Sequence, residues 1–438
     1  MYSLSACLLG LAIIACTHAL SLEKRDNPAV LAMPMVHGSS RQLSKRSETA
    51  SINLAHEKDD YTAYVANMTF GTPPQHFLAY VGTWGNGCWL ESVNISDCDI
   101  FVDKSSCGGY GAYNVTASTT ARDLDEKFVY NDTELMGKGG FVTDILTIGG
   151  ITLDTMKMGI VDESTDYADN TLSLGYGNSS SISLTQALVD AGTINSPAFS
   201  LWDQTALFGG VNKAKYNGSL YTFPIVNGSD LEKAFRINLD GISINKTTSL
   251  DSKDFPLDAV FDTSVYMSYV PKSVAQAIYA QVGNTSVPDD VFGQVNFSCS
   301  AINWNTTIDF KFGELQLQFY LTDFMSGFSD STFFDVYEPE GDCYFTILEN
   351  TLLQYEGSVV LGSNFISLVY AVFDLENDEV SLAKRSWDHA PDDIVEITSA
   401  KSDTSVKNDA KKNSGACLQK GLSVSTLILS ATMLILAL

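Results

Sequence analysis

The chemistry legible in this chain is carboxylate chemistry, and it centres on two stretches of similar form. In "AVFDTSVYMSYVP" an apolar β-type run leads into Asp262-Thr263. In "FLAYVGTWGNGCWLE" a comparable run reaches Gly82-Thr83-Trp84, where there is no acid. Well downstream of each comes an apolar pair ending in glycine, "LSLGYG" and "VVLGSN", so the two halves carry a weak internal repeat of the kind a duplicated β-lobe produces. Two carboxylates that share one proton can hydrolyse an amide, the ionised one taking a proton from water while the protonated one donates to the carbonyl oxygen. A single carboxylate supplies the base and lacks the acid.

Other chemistries find little support. Outside the amino-terminal segment the only histidines are His56, His76 and His389, and the chain contains neither HExxH nor GxSxG. Zinc hydrolysis and the serine-hydrolase elbow therefore lack their motifs. No CxxC pair is present, which argues against a thiolate metal site, and no metal or cofactor is expected. With 52 acidic and 26 basic residues the formal charge is -26. Such a chain repels phosphate backbones, so nucleic acid is not an expected partner.

The elements that must position these residues are strands. From Asp60 to Arg385 short runs rich in β-branched and aromatic residues alternate with Gly, Asn, Asp and Ser, as in "FVTDILTIGGITLDTMKMGIV" and "TTIDFKFGELQLQFYL". Two short helices are expected, "SLTQALVDAG" and "PKSVAQAIYAQVG", each opened by Ser or Pro and closed by Gly. They punctuate strands instead of alternating with them, which predicts an all-β chain and not a doubly wound sheet. A length of 438 residues exceeds what one core usually serves, so two lobes are expected, over residues 47–230 and 231–388.

The ends read as targeting and processing signals. Residues 1–19, "MYSLSACLLGLAIIACTHA", carry an apolar run followed by small residues and are expected to be a signal peptide. Residues 20–46 contain the dibasic pairs Lys24-Arg25 and Lys45-Arg46 and resemble a prosegment cut by a kexin-like protease. At the other end, a polar linker over 389–413 precedes residues 414–438, where small residues give way to an apolar terminus. That order predicts a glycosylphosphatidylinositol (GPI) attachment signal with the modified residue among Asn413, Ser414 and Gly415, and the alternative is a retained membrane helix. Either reading puts the protein in the secretory pathway and at the cell surface, plasma membrane or cell wall.

Eleven Asn-x-Ser/Thr sequons fit that route: Asn67, Asn94, Asn114, Asn131, Asn178, Asn217, Asn227, Asn245, Asn284, Asn296 and Asn305. The mature body retains five cysteines. In an oxidising compartment the natural pairings are Cys98 with Cys107 and Cys299 with Cys343, leaving Cys88 as a buried thiol in an apolar strand.

From about Tyr61 to Arg385 the chain resembles the pepsin-like aspartic proteases, and among them the fungal, GPI-anchored yapsin type. "YVANMTFGTPPQHF" is similar to the family's approach to its first active-site loop, and Trp89 falls where the family has a tryptophan supporting the flap. "FVYNDTELMGKGGFVTDILTIGG" resembles the flap hairpin, with Tyr130 at the place of the flap tyrosine. "INSPAFSLWDQTALFGGVNKAKYNGSLYTFPIV" resembles the lobe junction, and "VVLGSNFISLVYAVFDLENDEVSLAKR" the closing segment. "AVFDTSVYMSYVP" matches the second active-site loop, and Cys299 and Cys343 fall on the family's second-lobe disulfide.

The resemblance implies a bilobal pepsin-like fold, two β-lobes related by internal duplication with a peptide-binding cleft between them. It places Asp262 on the second catalytic aspartate and Gly82 where the first should be. Thr83 and Thr263 correspond to residues that bind across the lobes beneath the site. Three further positions depart from the pattern: Trp84 and Ser264 stand where the family uses glycine, and Val265 replaces a hydroxyl residue that would hydrogen-bond the acid. Neither Glu91 nor Asp154 stands in an active-loop frame that would let it substitute. The expectation is a catalytically impaired, cell-surface member of a peptidase family, acting in binding or cell-wall organisation, with a peptide or protein as the occupant of the cleft. The alternative is an active acid endopeptidase that works through Asp262. The sequence sets no oligomeric state.

Overall fold

In a computed structural model of the chain, the residues described are 20–37, 64–83, 87–96, 110–131, 136–164, 170–177, 182–226, 233–246, 248–249, 255–283, 295–328, 341–350 and 357–398. They form an all-β molecule. The pattern of side chains explains why: in Leu315–Tyr320, "LQLQFY", alternate residues are buried, so one face packs inward and the other meets solvent. Strands such as Val369–Asp374, buried at every position, run through the middle of the molecule.

The first lobe is an eight-stranded sheet. Its order is Val36–His37, Tyr64–Phe70, Gln75–Gly82, Thr171–Ser173, Trp89–Ser96, Ile151–Ser164, Met136–Ile148 and Arg122–Asn131. The second lobe is built on a five-stranded sheet: Arg236–Leu239, Leu257–Phe261, Val359–Leu361, Ser268–Val270 and Ile347–Glu349. Smaller sheets of four and three strands flank it. Between the lobes lies a six-stranded sheet that draws on both, in the order Tyr216–Pro224, Glu379–Arg385, Val369–Asp374, Ala198–Trp202, Thr205–Phe208 and Leu31–Pro34. Its inner face carries Phe199 and Phe373, stacked at 5.0 Å, with Phe235 4.7 Å and Phe261 5.8 Å from the Phe373 ring. All four are fully buried, and each contributes roughly 2–3 kcal/mol of apolar burial, Phe261 immediately before Asp262 in the chain.

The duplication seen in the sequence is a duplication of topology. In the first lobe Thr171–Ser173 pairs in parallel with the strand ending at Gly82 and antiparallel with the strand opening at Trp89. In the second, Val359–Leu361 pairs in parallel with the strand ending at Phe261 and antiparallel with Ser268–Val270. Each three-residue strand thus threads between the incoming and outgoing arms of one loop.

The two expected helices form at Leu184–Asp190 and Lys272–Tyr279. Ser183 caps the first, its side chain accepting from the Gln186 N–H, and Gly283 (φ 73°) closes the turn after the second. Two further segments fold where the sequence suggested tails. Leu22–Glu23, Leu31–Pro34 and Val36–His37, in the stretch read as a prosegment, are strands of three different sheets. Ile394–Ile397, in the stretch read as a polar linker, is the middle strand of a three-stranded sheet with Leu22–Glu23 and Gly210–Asn212. Their brevity explains why no period-2 signal announced them. Among the described residues no helix is long and apolar enough to cross a membrane.

Candidate functional site

The two loops meet through a reciprocal hydrogen-bond network. The Thr83 N–H donates to Thr263 Oγ1 at 2.9 Å, and the Thr263 N–H donates to Thr83 Oγ1 at 3.0 Å. Each hydroxyl then donates to a carbonyl across the junction, Thr83 Oγ1 to Phe261 O at 2.7 Å and Thr263 Oγ1 to Val81 O at 2.6 Å. Both threonines are essentially inaccessible, with 2% and 1% exposure. A hydroxyl is the one small group that accepts and donates at once, so threonine at both positions satisfies four backbone groups that would otherwise be buried unpaired. The lobes are locked at the residues immediately following Gly82 and Asp262.

Asp262 is buried, at 2% exposure. Its N–H donates to Leu361 O at 3.1 Å, tying it to the threading strand. One carboxylate oxygen, Oδ1, receives both the Ser264 N–H at 2.9 Å and the Ser264 hydroxyl at 2.5 Å. Ser264 therefore engages the acid two residues before it through both its backbone and its side chain. Val265 packs against Ala234, Val260 and Val360 and offers no hydroxyl, while its carbonyl accepts the Ser363 N–H at 2.9 Å. The next carbonyl, of Tyr266, accepts from Asn364 N at 3.0 Å, so the short helix Ser363–Ile366 presents its first amides to the loop.

The glycines that end the apolar pairs have a physical reason the sequence did not state. A Cβ at Gly175 would lie 2.4 Å from Thr83 O, and one at Gly362 would lie 2.3 Å from Met267 O and 2.6 Å from Tyr266 O. In both lobes the threading strand passes so close to the loop backbone that no side chain fits. Ser268 and Asn364 brace the second loop from behind: Ser268 Oγ donates to Asn364 Oδ1 at 2.6 Å and accepts the Gly362 N–H at 3.1 Å.

Gly82 is buried at the end of its strand, and its carbonyl accepts the Leu174 N–H at 2.8 Å. Position 82 thus contributes backbone alone to the junction where its counterpart contributes a carboxylate. Trp84 lies outside the described residues. Of the other acids considered, Asp154 is exposed on Ile151–Ser164, and Glu91 is on the strand leaving the first loop, its N–H bonded to Asn170 Oδ1.

The expected flap is a hairpin of Arg122–Asn131 and Met136–Ile148, with Tyr130 opposite Gly137 near its end. Trp89 sits at its base, 6.1 Å from Phe128, which meets Phe141 edge-on at 5.2 Å. A Cβ at Gly159 would strike the Phe128 ring at 2.5 Å, so that glycine admits the aromatic cluster.

Cys299 and Cys343 form a disulfide with a Cα–Cα distance of 5.0 Å. Cys88 is a buried free thiol pushed up to about 12 by burial, which leaves it protonated and unreactive. Cys98 and Cys107, Asn178, Asn227 and Asn284, and Asn413, Ser414 and Gly415 lie outside the described residues. Asn67, Asn94, Asn217, Asn245, Asn296 and Asn305 are exposed; Asn114 is half-buried and caps a short turn by accepting from Thr116; Asn131 ends a flap strand. Among the described residues no cluster of three metal-ligating side chains occurs.

Residues 63–385, more than half the chain, match the model of the eukaryotic aspartyl protease family. The chain is 29% identical over 419 residues to the probable aspartic-type endopeptidase opsB of Aspergillus oryzae, covering 88% of this chain and 83% of that one. It is 30% identical over 409 residues to its counterpart from Aspergillus fumigatus, covering 86% and 81%. With aspartic proteinase yapsin-3 of Saccharomyces cerevisiae the identity is 25% over 399 residues, covering 83% and 73%. With its duplicated loops, crossed threonines and second-loop aspartate, the chain belongs to the eukaryotic aspartyl protease family.

Proposed function

We propose that this protein is a proteolytically impaired aspartic-protease homologue that acts at the cell surface by binding peptide or protein segments in its inter-lobe cleft, or in cell-wall organisation. The observation that carries the reading is the contrast at the junction: all four threonine hydrogen bonds are present while position 82 has no side chain. Loss of one general acid–base partner lowers the rate by about 100- to 10,000-fold, and by more where the two groups work as a unit. The Ser264 hydroxyl supports the same reading, since it donates a side-chain hydrogen bond to Asp262 Oδ1 that a glycine at this position would not supply. The leader and the small-then-apolar carboxyl terminus support export and GPI anchoring.

Replacing Gly82 by Asp together with Trp84 by Gly should install acid-pH cleavage of unfolded protein that a pepstatin-type inhibitor blocks. A folded double variant without activity would show that Ser264 and Val265 also block the chemistry. Phosphoinositide-specific phospholipase C should release the protein from membranes, and retention would favour a spanning helix. A second reading, an active endopeptidase that relies on Asp262, draws on the names of the relatives, which are called endopeptidases or proteinases.

A further inference from the structure

The segment read as a prosegment is seated on the body in a way that removal would undo. Leu22 and Glu23 pair with Ile397 and Glu396, and the Thr398 N–H donates to Ser21 O at 2.9 Å. Farther along, Leu31–Pro34 forms the edge of the six-stranded sheet in register with Thr205–Phe208, and Leu31, Met33 and Met35 are buried in the main core. The body is shaped to receive it. A Cβ at Gly209 (φ +72°) would lie 2.8 Å from Ala29 O, and one at Gly210 would lie 2.7 Å from Val30 Cγ1.

The dibasic pair within this segment is engaged on both side chains. Arg25 Nη1 lies 3.2 Å from Glu396 Oε1 and Nη2 lies 2.8 Å from Glu23 Oε2. Glu396 is fully buried and also accepts from Asn195 Nδ2 at 2.6 Å and from the Ala29 N–H at 3.1 Å. A buried carboxylate needs its cation and its donors, and Arg25 supplies the cation. Lys24 Nζ lies 2.9 Å from Asp393 Oδ1. Asp392, beside it, is tied to Lys215 and to Asn212 Nδ2, so the carboxyl-terminal strand is itself fixed to the body.

We propose that Leu20–His37 is a permanent part of the mature fold: Lys24-Arg25 is a structural clamp closed on Glu396 and Asp393, and a cut after Lys45-Arg46 leaves the amino-terminal piece bound to the body without a covalent link. A dibasic-specific protease must draw both basic side chains and several residues on either side into its own cleft. At Arg25 this requires stripping Leu22–Glu23 from its partner strand and breaking the ion pairs of Lys24 with Asp393 and of Arg25 with Glu396. The inference is independent of whether the inter-lobe cleft hydrolyses peptides.

The purified full chain is incubated with a Lys-Arg-specific protease, fragments are identified by mass, and the products are passed over a sizing column in native buffer and in denaturant. A second chain, with a flexible insert after Arg46 carrying the recognition sequence of another protease, ensures that a cut is made there. The native Arg25–Asp26 bond should be cut at least tenfold more slowly than in denatured chain, and the amino-terminal piece should co-elute with the body until denaturant is added. Cleavage at Arg25 at the denatured-chain rate, or loss of the piece on the native column, overturns the proposal. Glu396→Ala should accelerate cutting at Arg25, and the exposed-site variant Asp393→Asn, which leaves the buried contacts intact, should do so to a smaller degree. Unchanged cutting in folded Asp393→Asn and Glu396→Ala proteins would show that neither acid clamps the pair.

Discussion

Replacing Thr83 by valine keeps the shape of the side chain and removes only the hydroxyl, which isolates the hydrogen bonding at the lobe junction. Two bonds vanish, Thr83 Oγ1 to Phe261 O and the Thr263 N–H to Thr83 Oγ1. At about 1 kcal/mol net for each bond, with a further penalty of about 1–2 kcal/mol for leaving the buried Thr263 N–H without its acceptor, the loss should be about 3–4 kcal/mol. Thr263→Val removes the mirror-image pair, Thr263 Oγ1 to Val81 O and the Thr83 N–H to Thr263 Oγ1, so its effect should match. Every bond joins a side chain to backbone. No bond is lost in both variants, and the double variant should therefore lose close to the sum, less whatever the two loops recover by relaxing together. For a chain of this size roughly 1 °C in Tm accompanies each kcal/mol, so each single variant should melt about 3–5 °C lower. Urea unfolding followed by tryptophan fluorescence, with m-values compared across variants, provides the free energies. A loss below about 1 kcal/mol, or a Thr83→Val effect unlike that of Thr263→Val by more than about 2 kcal/mol, would refute the symmetric network.

Three further outcomes follow from the geometry. Gly175→Ala and Gly362→Ala should each destabilise by about 2–3 kcal/mol because the new methyl overlaps loop carbonyls, whereas Gly241→Ala, with no heavy atom within 4 Å of its Cβ, should be close to neutral in the same urea titrations. Removing the Cys299–Cys343 bond by a Cys→Ser pair should lower stability by about 4 kcal/mol, the loop-closure value for a separation of 44 residues, as read by denaturation with and without reductant. Burial works to raise the Asp144 carboxyl, but donors from Ser118, Thr120, Tyr113 and the Ile145 N–H outweigh it and hold the group below the usual range. A depressed folded-state value means stability that is complete above about pH 4 and lost as pH falls through the folded value. Asp144→Asn should therefore flatten the acid limb of a stability-against-pH curve; an unchanged limb would remove Asp144 from the explanation.

The sequence was most informative where type and position carry chemistry together. Asp262, the gap at Gly82 and the two threonines are visible because each sits at the end of an apolar run, and the structure joins them through four bonds. The helices were legible from Ser183, Pro271 and the glycines that close them. Distance in sequence hid the rest. Asp144 reads as an ordinary strand residue because its partners Tyr113, Ser118 and Thr120 precede it by 24 to 31 positions. Gly175 and Gly362 showed a repeated pattern, but its cause, the approach of one backbone to another, is a distance that no composition encodes. Glu396 lies in a polar, acidic stretch that looks like a linker, and only the arrival of Arg25 from the opposite end of the chain makes its burial possible.

The most direct test of the account is the hydrolysis of unfolded protein by the purified chain between about pH 3 and 6, with and without a pepstatin-type inhibitor, beside the Asp262→Ala variant. With Gly82 supplying no second carboxyl, the account predicts no inhibitor-sensitive cleavage and indistinguishable traces for the two proteins. Cleavage that the inhibitor blocks and that disappears in Asp262→Ala would contradict it.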